Sequence, residues 1–170
     1  CKNPLLIWRA KLTESIKKNS VQATMALPLW GRAKYGKNNP QLIQDQLSER
    51  VLHQIIEDYN LDLSALEEEY GKTAEYAGVV FCVRAKNMQD ALKEYLQRFP
   101  ECSVVNLGAG LDTTFWRVDN GTLRWYDVDF PDVIALREKY LPNESRVVNI
   151  AQSVLDFDWM GEIEFSMHNG

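Results

Sequence analysis

The stretch SVVNLGAGLDTTFWRVDNGTLRWYDVDFPDV, Ser103 to Val133, decides how this chain folds. Ser103–Leu107 is short, apolar and rich in β-branched residues, and glycine follows at once, which is the pattern of a buried strand. Gly108-Ala109-Gly110 then lets the backbone turn sharply and approach a ligand with no Cβ in the way. After the Asn120-Gly121 turn, Leu123–Val128 reads as a second strand. Asp129 stands at its end, nineteen positions after Gly110. Pro131–Tyr140 reads as a helix with proline near its start. The order strand, crossover, strand, helix predicts a parallel α/β sheet.

Downstream, Ser145–Ile150 reads as a third strand, and EIEFSM (162–167) could begin a fourth. A doubly wound nucleotide fold carries about five strands or more, so the sequence predicts only the first part of one, cut after the third or fourth strand. Upstream the grammar is helical. QLIQDQLSERVLHQIIEDYN (41–60) places Leu42, Ile43, Leu47, Val51, Leu52, Ile55, Ile56 and Tyr59 on one helical stripe. Asn38 or Asn39 is its expected cap, with Pro40 at the first helical position. Residues 61–70 read as a short helix or helical turn. Residues 74–99 form another amphipathic helix, ended by Pro100. The expected architecture is α/β: a helical N-terminal cap over residues 1–100, then a Rossmann-like, doubly wound parallel sheet from 101 to 170.

Composition narrows the function. The 170 residues are 45% hydrophobic and 25% charged, an ordinary globular balance, and the net charge is -5. A nucleic-acid surface needs clustered Lys and Arg, and Lys17-Lys18 is the best cluster available, so no nucleic-acid partner is expected. The apolar runs fall well short of the about 20 residues a membrane helix needs. No secretory signal layout precedes Ala10, so the expected location is cytoplasmic. Cys1, Cys82 and Cys102 are scattered, without C-x-x-C or a histidine at ligand spacing, and read as reduced thiols with no metal.

Open α/β sheets bind ligands beyond the carboxyl ends of their strands, and an acid at the end of the second strand suits ribose hydroxyls. Asp129 could equally cap the helix at Pro131; the two uses are compatible. A dinucleotide fingerprint continues to a third glycine, where this chain has Asp112 and Thr113. A carboxylate there opposes a pyrophosphate, which argues against a nicotinamide-dependent oxidoreductase. It suits a nucleoside carrying positive charge and no phosphate, such as S-adenosylmethionine. Trp116 and Trp125 read as core or pocket lining. Lys34 and Tyr35 lie in a segment able to close over a site.

VVNLGAGLDTTFWR followed by WYDVDFPDVI resembles the leucine carboxyl methyltransferase family, which includes O-methyltransferases similar to polyketide-pathway enzymes. GRAKYGKNNPQLIQD upstream and SVLDFDW downstream extend the resemblance across most of the chain. It implies a class I S-adenosylmethionine-dependent methyltransferase acting on an oxygen. Gly108 and Gly110 would border the methionine part of the cofactor, Asp129 would hold the ribose and Arg84 the cofactor carboxylate. Ser153 and Val154 fall at the adenine, with Ser153 where the family has an acid. Arg32 is the candidate for an anionic group of the substrate. Asp112 and Arg117 belong to the loop signature and are assigned to loop structure before chemistry. A small-molecule acceptor is favoured over a protein C-terminal carboxylate. A carboxylate acceptor is already ionised at neutral pH and needs no general base, whereas a hydroxyl does; no catalytic base is identified. The competing reading is a non-catalytic relic or interaction module on the same frame. The oligomeric state is not legible.

Overall fold

The computed structural model describes residues 20–59 and 64–164. Its elements are α1 (Ser20–Asn38), α2 (Gln46–Tyr59), α3 (Ser64–Arg98), β1 (Ser103–Leu107), α4 (Thr114–Val118), β2 (Arg124–Asp129), α5 (Pro131–Tyr140), β3 (Val147–Ala151) and a terminal 3-10 helix (Phe157–Glu162). The chain divides into two compact units, Cys1–Lys86 and Asn87–Gly170, and the division falls inside α3, upstream of Pro100.

In the first unit α1 packs on α2. Leu29, Trp30, Ala33, Ile43, Val51, Ile55 and Cys82 are buried. Glycines let neighbouring elements close in. A Cβ on Gly78 of α3 would lie 2.0 Å from the ring of Tyr35, and one on Gly31 would lie 2.8 Å from that of Phe81. Tyr35 is therefore fixed in α1 against α3, its ring also set edge-on to Trp30.

Helix α2 begins later than its apolar stripe predicts. Asn39 closes α1 instead: its side-chain amide donates to the Tyr35 carbonyl at 2.9 Å. Pro40 sits in the turn that follows rather than at a helix start. The true cap is Asp45, whose Oδ1 accepts from the Ser48 backbone N–H at 3.0 Å. An aspartate three positions before that N–H meets one of the orphan donors of a first helical turn, and Asn38 is already spent as the last residue of α1. The two helical segments expected over 61–70 and 74–99 are continuous from Ser64 to Arg98, with residues 60–63 outside the described residues.

In the second unit the three strands pair in parallel in the order β1-β2-β3. Side chains alternate across the sheet as the pleat requires. Trp125 faces a core with Leu96, Phe115, Val118 and Leu123. Its neighbour Tyr126 faces the opposite core, with Val128, Ile150, Trp159 and Ile163. Burying each such large apolar side chain contributes roughly 1.5–3 kcal/mol. Glu162 to Glu164 carry no fourth strand: Glu162 ends the 3-10 helix, and residues 165–167 of the expected strand lie outside the described residues.

Candidate active site

Parallel pairing brings the carboxyl ends of all three strands to one edge. Leu107 pairs with Val128, and Asp129 with Ala151. Gly108, Gly110, Asp129, Ser153 and Val154 therefore lie at or just beyond the strand ends on that edge, and Gly110 and Asp129 are joined there by a hydrogen bond.

The loop after β1 is built from hydrogen bonds to β2 and α5. The backbone N–H of Gly108 donates to the Val128 carbonyl at 2.9 Å. Gly108 and Gly110 have φ of +67° and +49°, the left-handed region that glycine enters without a Cβ penalty. A Cβ on Gly108 would meet nothing within 4 Å, so this face of the loop is open to a ligand. Asp129 spans the gap between strand ends. Its Oδ2 accepts from the Gly110 N–H and its Oδ1 from the Phe130 N–H, both at 2.8 Å. It makes no capping bond to α5, whose N-terminal cap position is Phe130 with no side-chain hydrogen bond. The helix-cap use open to Asp129 in the sequence is thus not the one adopted.

The residue that holds the loop from beneath is Arg137. It is 2% exposed. Its Nη1 donates to the carbonyls of Gly110 (2.7 Å), Asp112 (3.2 Å) and Ala109 (3.3 Å), and its Nη2 pairs with the fully buried Asp127. Asp127 also accepts from Asn106 Nδ2 at 2.8 Å and Trp125 Nε1 at 2.9 Å. Burial pushes the Asp127 carboxyl up from the ordinary carboxylate range, while Arg137, Trp125 and Asn106 pull it back. Asn106, Asp127 and Asn149 occupy one register position across the three strands, forming a polar row under an apolar core. The sequence did carry a signal for Arg137: Val133, Ile134, Arg137 and Tyr140 lie on the buried stripe of α5, and an arginine on such a stripe needs a partner.

Asp112 and Arg117 serve the loop. Asp112 accepts from the Thr114 backbone and hydroxyl, both at 3.0 Å. Arg117 Nε donates to Gln89 at 3.1 Å and its Nη2 to Thr114 at 2.9 Å. Beyond β3, the Ser153 hydroxyl accepts from the Leu155 N–H at 3.3 Å, and Val154 packs on the second core. Gln152, beside them, was not foreseen; its Oε1 is buried with no partner among the described residues. Arg84 is exposed on α3, in the first unit. Arg32 is 5% exposed in that unit. Its Nε donates to Asp45 Oδ2 at 3.1 Å and Ser48 Oγ at 3.2 Å. Its charge is compensated there, which makes holding α1 to the start of α2 its first role.

Cys82 is buried, its thiol 3.4 Å from the Gly31 carbonyl, and Cys102 is half-buried; both are free. No cluster of metal-ligating side chains occurs among the described residues, and no helix among them is long and apolar enough to cross a membrane.

Residues 25–162 match the family model described as leucine carboxyl methyltransferase. The chain belongs to the leucine carboxyl methyltransferase family. Among curated members and relatives, it is 30% identical over 151 residues to the tetracenomycin polyketide synthesis O-methyltransferase TcmP of Streptomyces glaucescens, a match covering 88% of this chain and 53% of TcmP. It is 32% identical over 68 residues to leucine carboxyl methyltransferase 1 of Rattus norvegicus, covering 38% of this chain and 20% of that protein. The chain thus spans about half the length of TcmP and less of the others. No solved structure matches it. Within this family the fold expectation holds: helices precede a parallel sheet of the Rossmann-like kind, of which three strands are described.

Proposed function

We propose that this protein is an S-adenosylmethionine-dependent O-methyltransferase. The observation that carries the reading is the joint formed by Asp129 and the glycine loop. A carboxylate at the end of β2 fixes Gly110 through its backbone N–H, beside a Gly108 whose open face admits a ligand. Each carboxylate oxygen has two lone-pair directions. One on each oxygen is used by a backbone N–H, which leaves acceptor capacity for the two ribose hydroxyls. Asp129 suits the ribose of either nucleotide; the loop, however, carries Asp112 and Thr113 where a dinucleotide fingerprint has its third glycine, and a carboxylate there disfavours a pyrophosphate and favours a ligand bearing a sulfonium and an ammonium. That is the support for S-adenosylmethionine over a nicotinamide dinucleotide.

In this reading Gly108 and Gly110 border the methionine portion, and Arg84 binds the cofactor carboxylate. Ser153 and Val154 flank the adenine. Gln152 adds a carbonyl acceptor of the kind the adenine amino group needs, which offsets the missing acid at Ser153. Arg32 enters as a framework residue. The cofactor supplies an activated methyl group; the chain supplies position and a pocket that excludes water. The favoured acceptor is a small molecule, a choice supported by the long match to a protein named for polyketide synthesis.

Calorimetric titration with S-adenosylhomocysteine and, separately, NADH tests the proposal. Micromolar binding of the first alone, weakened at least tenfold in Asp129→Ala, is the expected result; charge-assisted hydrogen bonds of about 1.5–3 kcal/mol each set that scale. An intact, folded protein that ignores S-adenosylhomocysteine refutes it.

A further inference from the structure

Asn120 and Gly121 stand in the turn between α4 and β2, and both are exposed. Gly121 has φ of +85°, and a Cβ there would meet nothing within 4 Å. A glycine nitrogen after an asparagine can bond to the asparagine side-chain carbon, since glycine has no Cβ to crowd the closing ring. The new C–N bond displaces the side-chain nitrogen, which leaves as ammonia with the proton given up by the glycine nitrogen. Water then opens the succinimide at either carbonyl and gives aspartate or isoaspartate.

In this fold both partners of that reaction are tied. The Gly121 N–H donates to Asp119 Oδ1 at 2.9 Å, so the proton that must leave faces a carboxylate, which disfavours a nitrogen anion. Asp119 is a poor base for it, because Arg146 pairs with both of its oxygens and holds it below the usual carboxylate range. The Asn120 side chain is fixed at both ends. Its Oδ1 accepts from the backbone N–H groups of Thr122 (3.0 Å) and Leu123 (2.9 Å), as an Asx-turn does. Its Nδ2 donates to the Pro100 carbonyl at 2.9 Å. The Thr122 hydroxyl donates to the same carbonyl at 2.7 Å, whose oxygen has a lone pair for each. The turn before β2 is thus clasped to the turn before β1.

We propose that Asn120 is a self-modification site that the fold holds shut and that opens when the clasp to Pro100 lets go. Swinging the side-chain carbon onto the Gly121 nitrogen breaks the bonds to Pro100, Thr122 and Leu123 together. The native rate is therefore that of a free peptide multiplied by the fraction of time the turn is open. The product does not close the clasp again. Aspartate at 120 has no donor for the Pro100 carbonyl and sets a second carboxylate beside Asp119. Isoaspartate also lengthens the main chain just ahead of the fully buried Leu123. The site lies at the amino ends of the strands, the edge opposite the glycine loop, so it stands apart from the cofactor reading.

The test incubates the full chain at neutral pH, native and in urea, beside a peptide of residues 118–123. Peptide mass spectrometry follows Asn120, with isoaspartate separated from aspartate by chromatography. The expected result is matched conversion in the peptide and in the urea-unfolded chain, and conversion about tenfold slower or more in the native chain, as for a turn open less than about a tenth of the time. Thr122→Val removes the hydroxyl from the clasp and should speed native conversion about threefold or more, with the fold checked by circular dichroism and the matching peptide unchanged in rate. Thr122→Ser keeps the hydroxyl and should keep the parent rate. Gly78→Ala loosens the other compact unit and should leave Asn120 unaffected. Native conversion as fast as the peptide overturns the proposal. So does a folded Thr122→Val chain no faster than the parent, or an equal acceleration by Gly78→Ala, which makes global unfolding the route.

Discussion

Replacing Arg137 with methionine keeps much of the side-chain volume and removes the charge. Asp127, fully buried, then keeps only Asn106 and Trp125 as partners. Breaking a buried pair by removing one member costs about 3–5 kcal/mol, because the remaining charge is uncompensated. With an m-value of about 2 kcal/mol/M in urea, a loss of about 4 kcal/mol lowers the unfolding midpoint by about 2 M. The loss depends on pH. Burial already raises the Asp127 carboxyl, and without Arg137 it rises further. A group whose folded value is raised stabilises the fold below its unfolded value, and that contribution is lost as pH rises through the folded value. The deficit of Arg137→Met is therefore smaller at pH 5 than at pH 8. Adding Asp127→Asn removes the lone charge and should restore most of the midpoint. It should not restore S-adenosylhomocysteine affinity, because the carbonyls of Ala109, Gly110 and Asp112 still lack their donor. Urea titrations at both pH values, with calorimetry on the double variant, check each step. A loss below about 1 kcal/mol, or recovery of ligand affinity in the double variant, would refute the claim that Arg137 carries the loop.

Asp119 is held below the usual carboxylate range by the hydrogen bond from Arg146, with backbone N–H groups of Gly121 and Asn120 adding to it. A depressed group stabilises above its unfolded value and loses that contribution as pH falls through the folded one. Asp119→Asn should thus cost less than about 1 kcal/mol at pH 7, solvent screening keeping the pair weak, and in thermal melts the difference from the parent should shrink as pH falls below the ordinary carboxylate range. Gly78→Ala sets a Cβ against the Tyr35 ring; overpacking of about 1–3 kcal/mol should exceed the about 1 kcal/mol gained in helix propensity, and a higher urea midpoint would contradict this. Burial, with Asp45, raises the Cys82 thiol against the opposing pull of Arg32, so in the native protein iodoacetamide should label Cys82 far more slowly than in urea; equal rates by mass spectrometry would count against the packing described.

Local pattern was enough for much of this protein. The apolar run at Ser103, the paired glycines, the Asn-Gly turn and Pro131 state their roles through backbone preference, and the strand and helix bounds they predict agree closely with β1, β2 and α5. Both ends of the Asp129–Gly110 joint were legible, since crossover geometry puts the end of β2 beside the loop after β1. The start of α2 was not, because Asn39 and Asp45 each suit a cap by chemistry, and only the packing of α1 decides between them. Nor was the Arg32–Asp45–Ser48 cluster, the Arg137–Asp127 pair or the row Asn106–Asp127–Asn149. A charged or amide side chain has no periodicity of its own, and its partner is chosen by which elements come together in space. Sequence alone therefore determined where the chain turns and which backbone can approach a ligand. The tertiary structure decided which buried polar groups hold that turn in place, because desolvated charges survive only where folding delivers a partner within hydrogen-bond reach.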